Sequence, residues 1–246
     1  FFAYIYTKRK EGLKTGFSFF GLGFAFLLVY IGISDYQHKS FALASNENLP
    51  LLLVVLISAL FYGFSLKYKQ FKELGSIFAP INVFLIALIL PNTEETGQIH
   101  NNIWFYLHVI FSSLAYVFII GATVVAVIYL LTERDLKNKK LNSFFVSKFS
   151  SSLYTLQEIE YKSNVLAFIF LSLALVASSV WSSVYLGKHW LWDAKQTALS
   201  ILWVFYAVLL HFRIIKHQKG RKASYMTLTA SFIALIVFWF VKHPVY

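Results

Sequence analysis

The eleven residues "GKHWLWDAKQT", Gly187 to Thr197, place two tryptophans, a histidine, an aspartate and two lysines between two long apolar runs. The run before it, Asn164 to Tyr185, and the run after it, Thr197 to Ile215, each have about the 20 residues that a helix needs to cross some 30 Å of hydrocarbon. A short polar and aromatic connection between two such runs means that the fold is built from membrane helices. Trp190 and Trp192 stand two apart, so they cannot share one face of a helix. Either they line a pocket in an extended turn, or one of them anchors in lipid.

The rest of the chain extends the same pattern. Of its 246 residues, 58% are hydrophobic, 19% aromatic and only 13% charged, which is far more apolar surface than one soluble core can bury. Five further spans are expected at Thr15 to Ile33, Pro50 to Leu66, Gly75 to Leu90, Trp104 to Leu131 and Ser224 to Val241. The expected fold is therefore an all-α integral membrane protein, a bundle of seven transmembrane helices in a single domain over residues 1–246. The opening "FFAYIYTKRK" reads as the stub of an eighth, upstream span. It lacks the charged leading region of a signal peptide.

Basic residues orient the bundle. The connections Thr7–Lys14, Lys67–Lys72, Arg134–Lys162 and Arg213–Lys222 hold all but four of the 22 Lys and Arg, the exceptions being Lys39, Lys188, Lys195 and Lys242. Those connections alternate along the chain, and the positive-inside rule assigns them to the cytoplasm. The net charge of +11 then reflects basic loops facing anionic lipid and calls for no nucleic-acid partner. There is no cysteine, so any thiol chemistry belongs to another protein.

With that topology, "GKHWLWDAKQT" and two histidines fall on the outer side. His108 lies one turn inside the fourth span and His243 lies at the outer end of the seventh. His211 is about 21 Å down the sixth helix from Thr197, followed by Arg213 at the inner interface. It faces either that interface or the bundle interior, and an ionisable residue inside a span points to function. His38, His100 and His217 read as hydrogen-bonding surface residues, and Trp104 and Trp239 as interfacial anchors. Anchoring accounts poorly for "WLWDAK", because it calls for no Asp or Lys between the rings. Two imidazoles opposed across an aromatic apolar pocket would suit a haem iron.

The segment "VWSSVYLGKHWLWDAKQTALSILWVFYAVLLHFRI", residues 180–214, resembles the tryptophan-rich WWD segment of the cytochrome c assembly proteins, in particular the CcsA (ResC) branch of that haem-handling family. Members carry approximately VWxxxxWGxxWxWDPKETW, followed by a span ending LHxR. Trp181, Gly187, Trp190, Trp192, Asp193, Lys195 and Thr197 occupy the motif positions, and "LLHFRI" stands at the LHxR. "YLHVIFSSLAYVFIIGA" resembles the family span bearing the first external haem-ligand histidine, and so maps it to His108. "KHPVY" maps the second to His243. "SSLYTLQEIEYKSN" and "APINVFLIALILP" resemble the family's corresponding helices.

The resemblance implies the following expectations. Haem b is held at the outer face of a bacterial inner membrane by His108 and His243 against Trp190, Trp192, Asp193, Gly187 and Lys195. Its vinyl groups meet the thiols of an apocytochrome c CxxCH motif. His211 is an intramembrane ligand on the haem's way outward, its opposite histidine coming from a CcsB (ResB) partner. Lys188, Lys195 and Lys242 are the basic residues available to the propionates. Four positions depart from the family pattern: Leu186 for Trp, Ala194 for Pro, Gln196 for Glu, and His189 for an aromatic. These bear on catalysis more than on haem binding, and His189 reads either as a solvated loop residue or as an extra ligand. Three roles follow: a synthase subunit that attaches haem, a haem-delivery protein without ligation activity, or a structural subunit that kept the fold alone.

Overall fold

Apolar runs bounded by good capping residues dictate where the helices begin and end. The computed structural model describes residues 10–38, 49–67, 75–89, 102–143, 145–146 and 152–240. Its helices are α1 (Lys10–His38), α2 (Leu49–Lys67), α3 (Gly75–Ile89), α4 (Ile103–Lys137), α5 (Leu153–Leu186), α6 (Ala194–Ile214) and α7 (Arg221–Phe240). Each of the seven expected spans coincides with one of them. The stub before residue 10 and the C-terminal His243 lie outside the described residues.

Four of these helices are long and apolar enough to cross a membrane: Glu11–Ile33 within α1, then α4, α5 and α6. Leu51–Gly63 and Phe78–Ala87 are shorter apolar segments within α2 and α3. With 35 and 34 residues, α4 and α5 reach about 50 Å at 1.5 Å per residue. That exceeds the hydrocarbon thickness by some 20 Å. The sequence reading ended the fourth span at Leu131 and began the fifth at Asn164. The helices instead continue into polar extensions, because nothing in "TERDLK" or "LYTLQEIEYKS" breaks a helix.

The chain forms two compact units, Phe1–Asn101 and Asn102–Tyr246. In the first, α1 meets α2 through aromatic rings: Phe17 stacks on Tyr62 with centroids 4.8 Å apart, and Phe61 meets Phe20 edge-on at 4.7 Å. The buried Asn82 of α3 donates to Ser58 of α2 at 2.8 Å. Such a bond between helices satisfies polar groups that lipid could not.

The second unit holds α4 to α7. Here α4 packs most extensively on α5, and also on α7, while α6 lies against both α5 and α7. Its helices run alternately up and down, so the start of α4, the end of α5, the start of α6 and the end of α7 meet at one end. Small residues make the close approach possible: Ala115, Ala122 and Ala126 on α4, Ala167, Ala174 and Ala177 on α5, and Ala230 and Ala234 on α7 are all buried. With little hydrophobic force to drive helices together in lipid, such stripes of small residues let backbones pack by dispersion. Across the same seams Thr123 donates to Ser231 at 2.6 Å and Trp203 Nε1 donates to Ser172 at 2.8 Å.

Candidate functional site

The segment Gly187–Asp193 joins α5 to α6, and its conformation follows from helix-end chemistry. Gly187 closes α5 with φ +67°, the left-handed conformation that glycine adopts without strain. Ser182 Oγ in the last turn then donates to the Lys188 carbonyl at 2.7 Å, which turns the chain back over the helix end. Asp193 starts α6 as its N-cap, Oδ1 accepting from Gln196 N–H at 2.9 Å. Gln196 is buried, and its Oε1 accepts from Leu191 N–H at 2.9 Å. Together these bonds hold the loop by a wide version of the capping box.

That arrangement explains two of the departures noted in the motif. Position 194 is the first residue of the helix, where proline is favoured but alanine is equally compatible. Position 196 supplies a side-chain oxygen that accepts from a backbone N–H, which either a glutamine carbonyl or a glutamate carboxylate can do. Replacing Gln196 with Glu is therefore expected to leave thermal stability nearly unchanged. Gln196→Leu should cost about 1 kcal/mol by stranding the Leu191 N–H. Melting the two variants side by side in detergent checks this, and equal loss from both would refute it.

The two tryptophans divide as in-facing and out-facing. Trp190 is half-buried and its indole Nε1 is buried with no acceptor among the described residues. Trp192 is 79% exposed, with φ +56°. An aromatic residue held in the left-handed region stores strain, of order 1–2 kcal/mol. The rings meet edge to face with centroids 6.1 Å apart. His189 is exposed, within 3.3 Å of Ser183 Oγ, as a solvated loop residue would be.

His108 stands in the second turn of α4 at this same end. Its Nδ1 lies 3.0 Å from the Ala174 carbonyl of α5. A carbonyl can only accept, so Nδ1 carries the proton and the ring's lone pair is on Nε2, the arrangement in which backbone-oriented histidines ligate metals. Towards the end of the unit, Asn102 caps α4 by accepting from Trp104 N–H at 2.7 Å and reaches Tyr185 on α5 at 3.4 Å. Trp181 packs between Phe105 and Tyr185, with centroids at 6.0 and 5.7 Å. Lys195, in the first turn of α6, donates to the Val237 carbonyl in the last turn of α7 at 2.9 Å, and lies within electrostatic reach of His108. One end of the unit thus gathers an oriented imidazole, an aromatic wall and a basic group.

The model of the family described as "Cytochrome C assembly protein" matches residues 44–244. The chain belongs to the cytochrome c assembly protein family. Within it, the relatives are of the CcsA type. The cytochrome c biogenesis protein CcsA of Cyanidium caldarium is 31% identical over 232 residues, spanning 84% of this chain and 78% of its own length. That of Guillardia theta is 26% identical over 258 residues, spanning 96% of this chain and 83% of its own. The protein is accordingly a membrane protein with a role in cytochrome c biogenesis, a role that entails handling haem.

For a member of this family, the other end of the same unit matters too. His211 is exposed near the C-terminus of α6, its ring edge-on to Phe212 at 6.2 Å. The ring therefore faces out of the Asn102–Tyr246 unit and not into its interior. Two residues on, Arg213 donates to the Gln157 carbonyl at 2.9 Å and lies over the Tyr161 ring at 5.6 Å. Beside it is a feature that the sequence reading missed. Glu160 of α5 is 1% exposed, and its carboxylate accepts from Ser224 Oγ at 2.8 Å and Thr227 Oγ1 at 2.7 Å, both on α7. Asn164 donates to Thr227 at 2.9 Å, while its own Oδ1 is buried with no donor among the described residues. Glu160, Asn164, Thr227 and Arg213 help line a small pocket with room for about one water molecule. The available signal was the i, i+4 pair Glu160 and Asn164 at the head of an apolar run, opposite a Ser224, Thr227, Ser231 stripe of period three to four.

Proposed function

We propose that this protein presents haem b at the outer face of a bacterial inner membrane for attachment to apocytochrome c, as the CcsA-type half of a synthase. The observation that carries the reading is the hydrogen bond from His108 Nδ1–H to the Ala174 carbonyl, which orients the imidazole as a ligand. The residues at this end suit a haem in three further respects. Trp190 offers a buried N–H that has no acceptor among the described residues. Trp192 offers an exposed flat ring. The cluster Phe105, Trp181 and Tyr185 supplies the apolar wall.

In this reading His108 and His243 would be the iron's ligands, and Trp190 and Trp192 would supply aromatic surface to the macrocycle. Gly187, Asp193 and Lys195 would shape the segment around it, and Lys188, Lys195 and Lys242 are the basic candidates for its propionates. Bound haem contributes two vinyl groups, across which the CxxCH thiols of the apocytochrome add, forming carbon–sulfur bonds with no external oxidant. His211 faces out of the unit, which suits an intramembrane site completed by a histidine of a CcsB-like partner. Seven spans, with the basic connections inside, complete the topology.

The test is the optical spectrum of the chain purified with its native partners, oxidised and reduced, beside His108→Ala and His243→Ala. A Soret band with low-spin visible bands, weakened in both variants, is the expected result. Haem that is present but unaffected by either variant would leave haem delivery with other ligands. If the wild type neither contains nor takes up haem, the protein is a structural subunit and the reading fails.

A further inference from the structure

We infer that Lys195 is a positioning residue: by binding the last turn of α7 it fixes the end of the helix from which the chain continues to His243. The inference rests on the reading above only for its haem readout. Its basis is the 2.9 Å bond from Lys195 Nζ to the Val237 carbonyl.

Several observations make this contact more than incidental. Val237 is buried, and it lies three residues before the end of α7, where carbonyls carry the negative end of the helix dipole. An ammonium placed there satisfies a carbonyl and the dipole together. Lys195 itself is half-buried at the second position of α6, and the Asp193 cap and Gln196 bonds hold the backbone around it. The anchor is thus a rigid helix start and the thing anchored is a helix end. Among the described residues, the charged or titratable groups in electrostatic reach of Lys195 are Asp193, whose carboxylate caps α6, and His108.

A lysine does this where a glutamine could not. Its four-carbon stem spans the gap between helices while packing on apolar neighbours, and its point charge needs no fixed orientation. Arginine keeps the charge and reach, so it is the conservative control. The role differs from a propionate contact in what its loss would do. A propionate contact strengthens haem retention without touching the iron. A positioning residue at the end of α7 governs whether the second imidazole arrives at the iron.

Three proteins decide it, all as full chains purified with their native partners: wild type, Lys195→Met and Lys195→Arg. Lys195→Met is expected to keep haem but shift it towards high spin, and added imidazole is expected to restore the low-spin spectrum. Lys195→Arg should stay low-spin. Haem lost from Lys195→Met with the remainder still low-spin and indifferent to imidazole would overturn the inference in favour of propionate binding. Amide exchange over residues 233–240 decides the contact without haem. Lys195→Met should speed it roughly tenfold, the scale of one charge-assisted hydrogen bond, and Lys195→Arg much less. Unchanged exchange would overturn the inference even if haem binds, whereas faster exchange in a wild type that holds no haem would sink the haem reading and leave the positioning role standing.

Discussion

Replacing Glu160 with alanine is expected to lower the stability of the Asn102–Tyr246 unit by about 3 kcal/mol. The carboxylate is 1% exposed and is the acceptor for two hydroxyls of the neighbouring helix, Ser224 and Thr227. Truncation leaves both hydroxyls seeking acceptors in a region that water barely reaches, and adds the cost of the space vacated. Glutamine has nearly the same shape. Its carbonyl can accept from Thr227 and its amide can donate to Ser224 Oγ, so Glu160→Gln should keep more than half of the lost stability. The converse double variant, Ser224→Ala with Thr227→Val, leaves a carboxylate buried without donors and should be at least as damaging as Glu160→Ala. Thermal unfolding in detergent, followed by circular dichroism, measures all three. An alanine variant as stable as wild type would mean that the α5–α7 contact at this end is not held by Glu160.

The reason for such a residue lies in the membrane setting. Between apolar helices, hydrogen bonds are the directional contacts, and a charged acceptor ties two helices in one register where leucines would allow several. Glu160 joins α5 to α7, and Arg213 beside it joins α6 to α5 through the Gln157 carbonyl. The two fasten three helices at the end where His211 faces outward. The anchor thus lies at the opposite end of the same helices from the Gly187–Asp193 segment.

How legible all this was depends on the scale of the feature. Hydropathy alone located every helix of the described chain, because burial in lipid demands apolar runs of a set length. It missed the extensions of α4 and α5, since beyond the bilayer hydropathy no longer reports helix and only propensity does. The histidines and tryptophans were visible as residue types out of keeping with anchoring. Their division of labour was not, for whether Trp190 or Trp192 turns inward depends on the left-handed backbone at 192 and on Gly187. The expectation for Lys195 as a propionate contact came from its charge alone. Its bond to Val237 could not be read from sequence, because it joins residues 42 apart. Glu160 went unnoticed for the same reason: its partners are 64 and 67 residues away.

The strained tryptophan offers a way to separate binding from folding. Trp192→Gly is expected to weaken haem retention by about tenfold or more while leaving the thermal midpoint equal to wild type or slightly higher. Most Trp to Gly changes destabilise, because a large buried ring is lost. Here the ring is 79% exposed and the backbone sits at φ +56°, so glycine relieves strain and gives up little packing. What it does give up is a flat apolar surface at the mouth of the site. Burying such a ring against a ligand is worth roughly 2 kcal/mol, which converts to about thirtyfold in affinity, of which an edge contact at the mouth realises about tenfold or more. Trp192→Phe should recover most of the retention and none of the relief, because the smaller ring still stacks and still has a Cβ in the left-handed region. Haem retention is followed by transfer of bound haem to apomyoglobin, and stability by melting the haem-free protein. Parallel loss of both in Trp192→Gly would show that the residue is packed structurally, and its strain would then have no functional use. Loss of retention alone would identify Trp192 as a residue that the fold holds in an unfavourable conformation for the sake of its ligand.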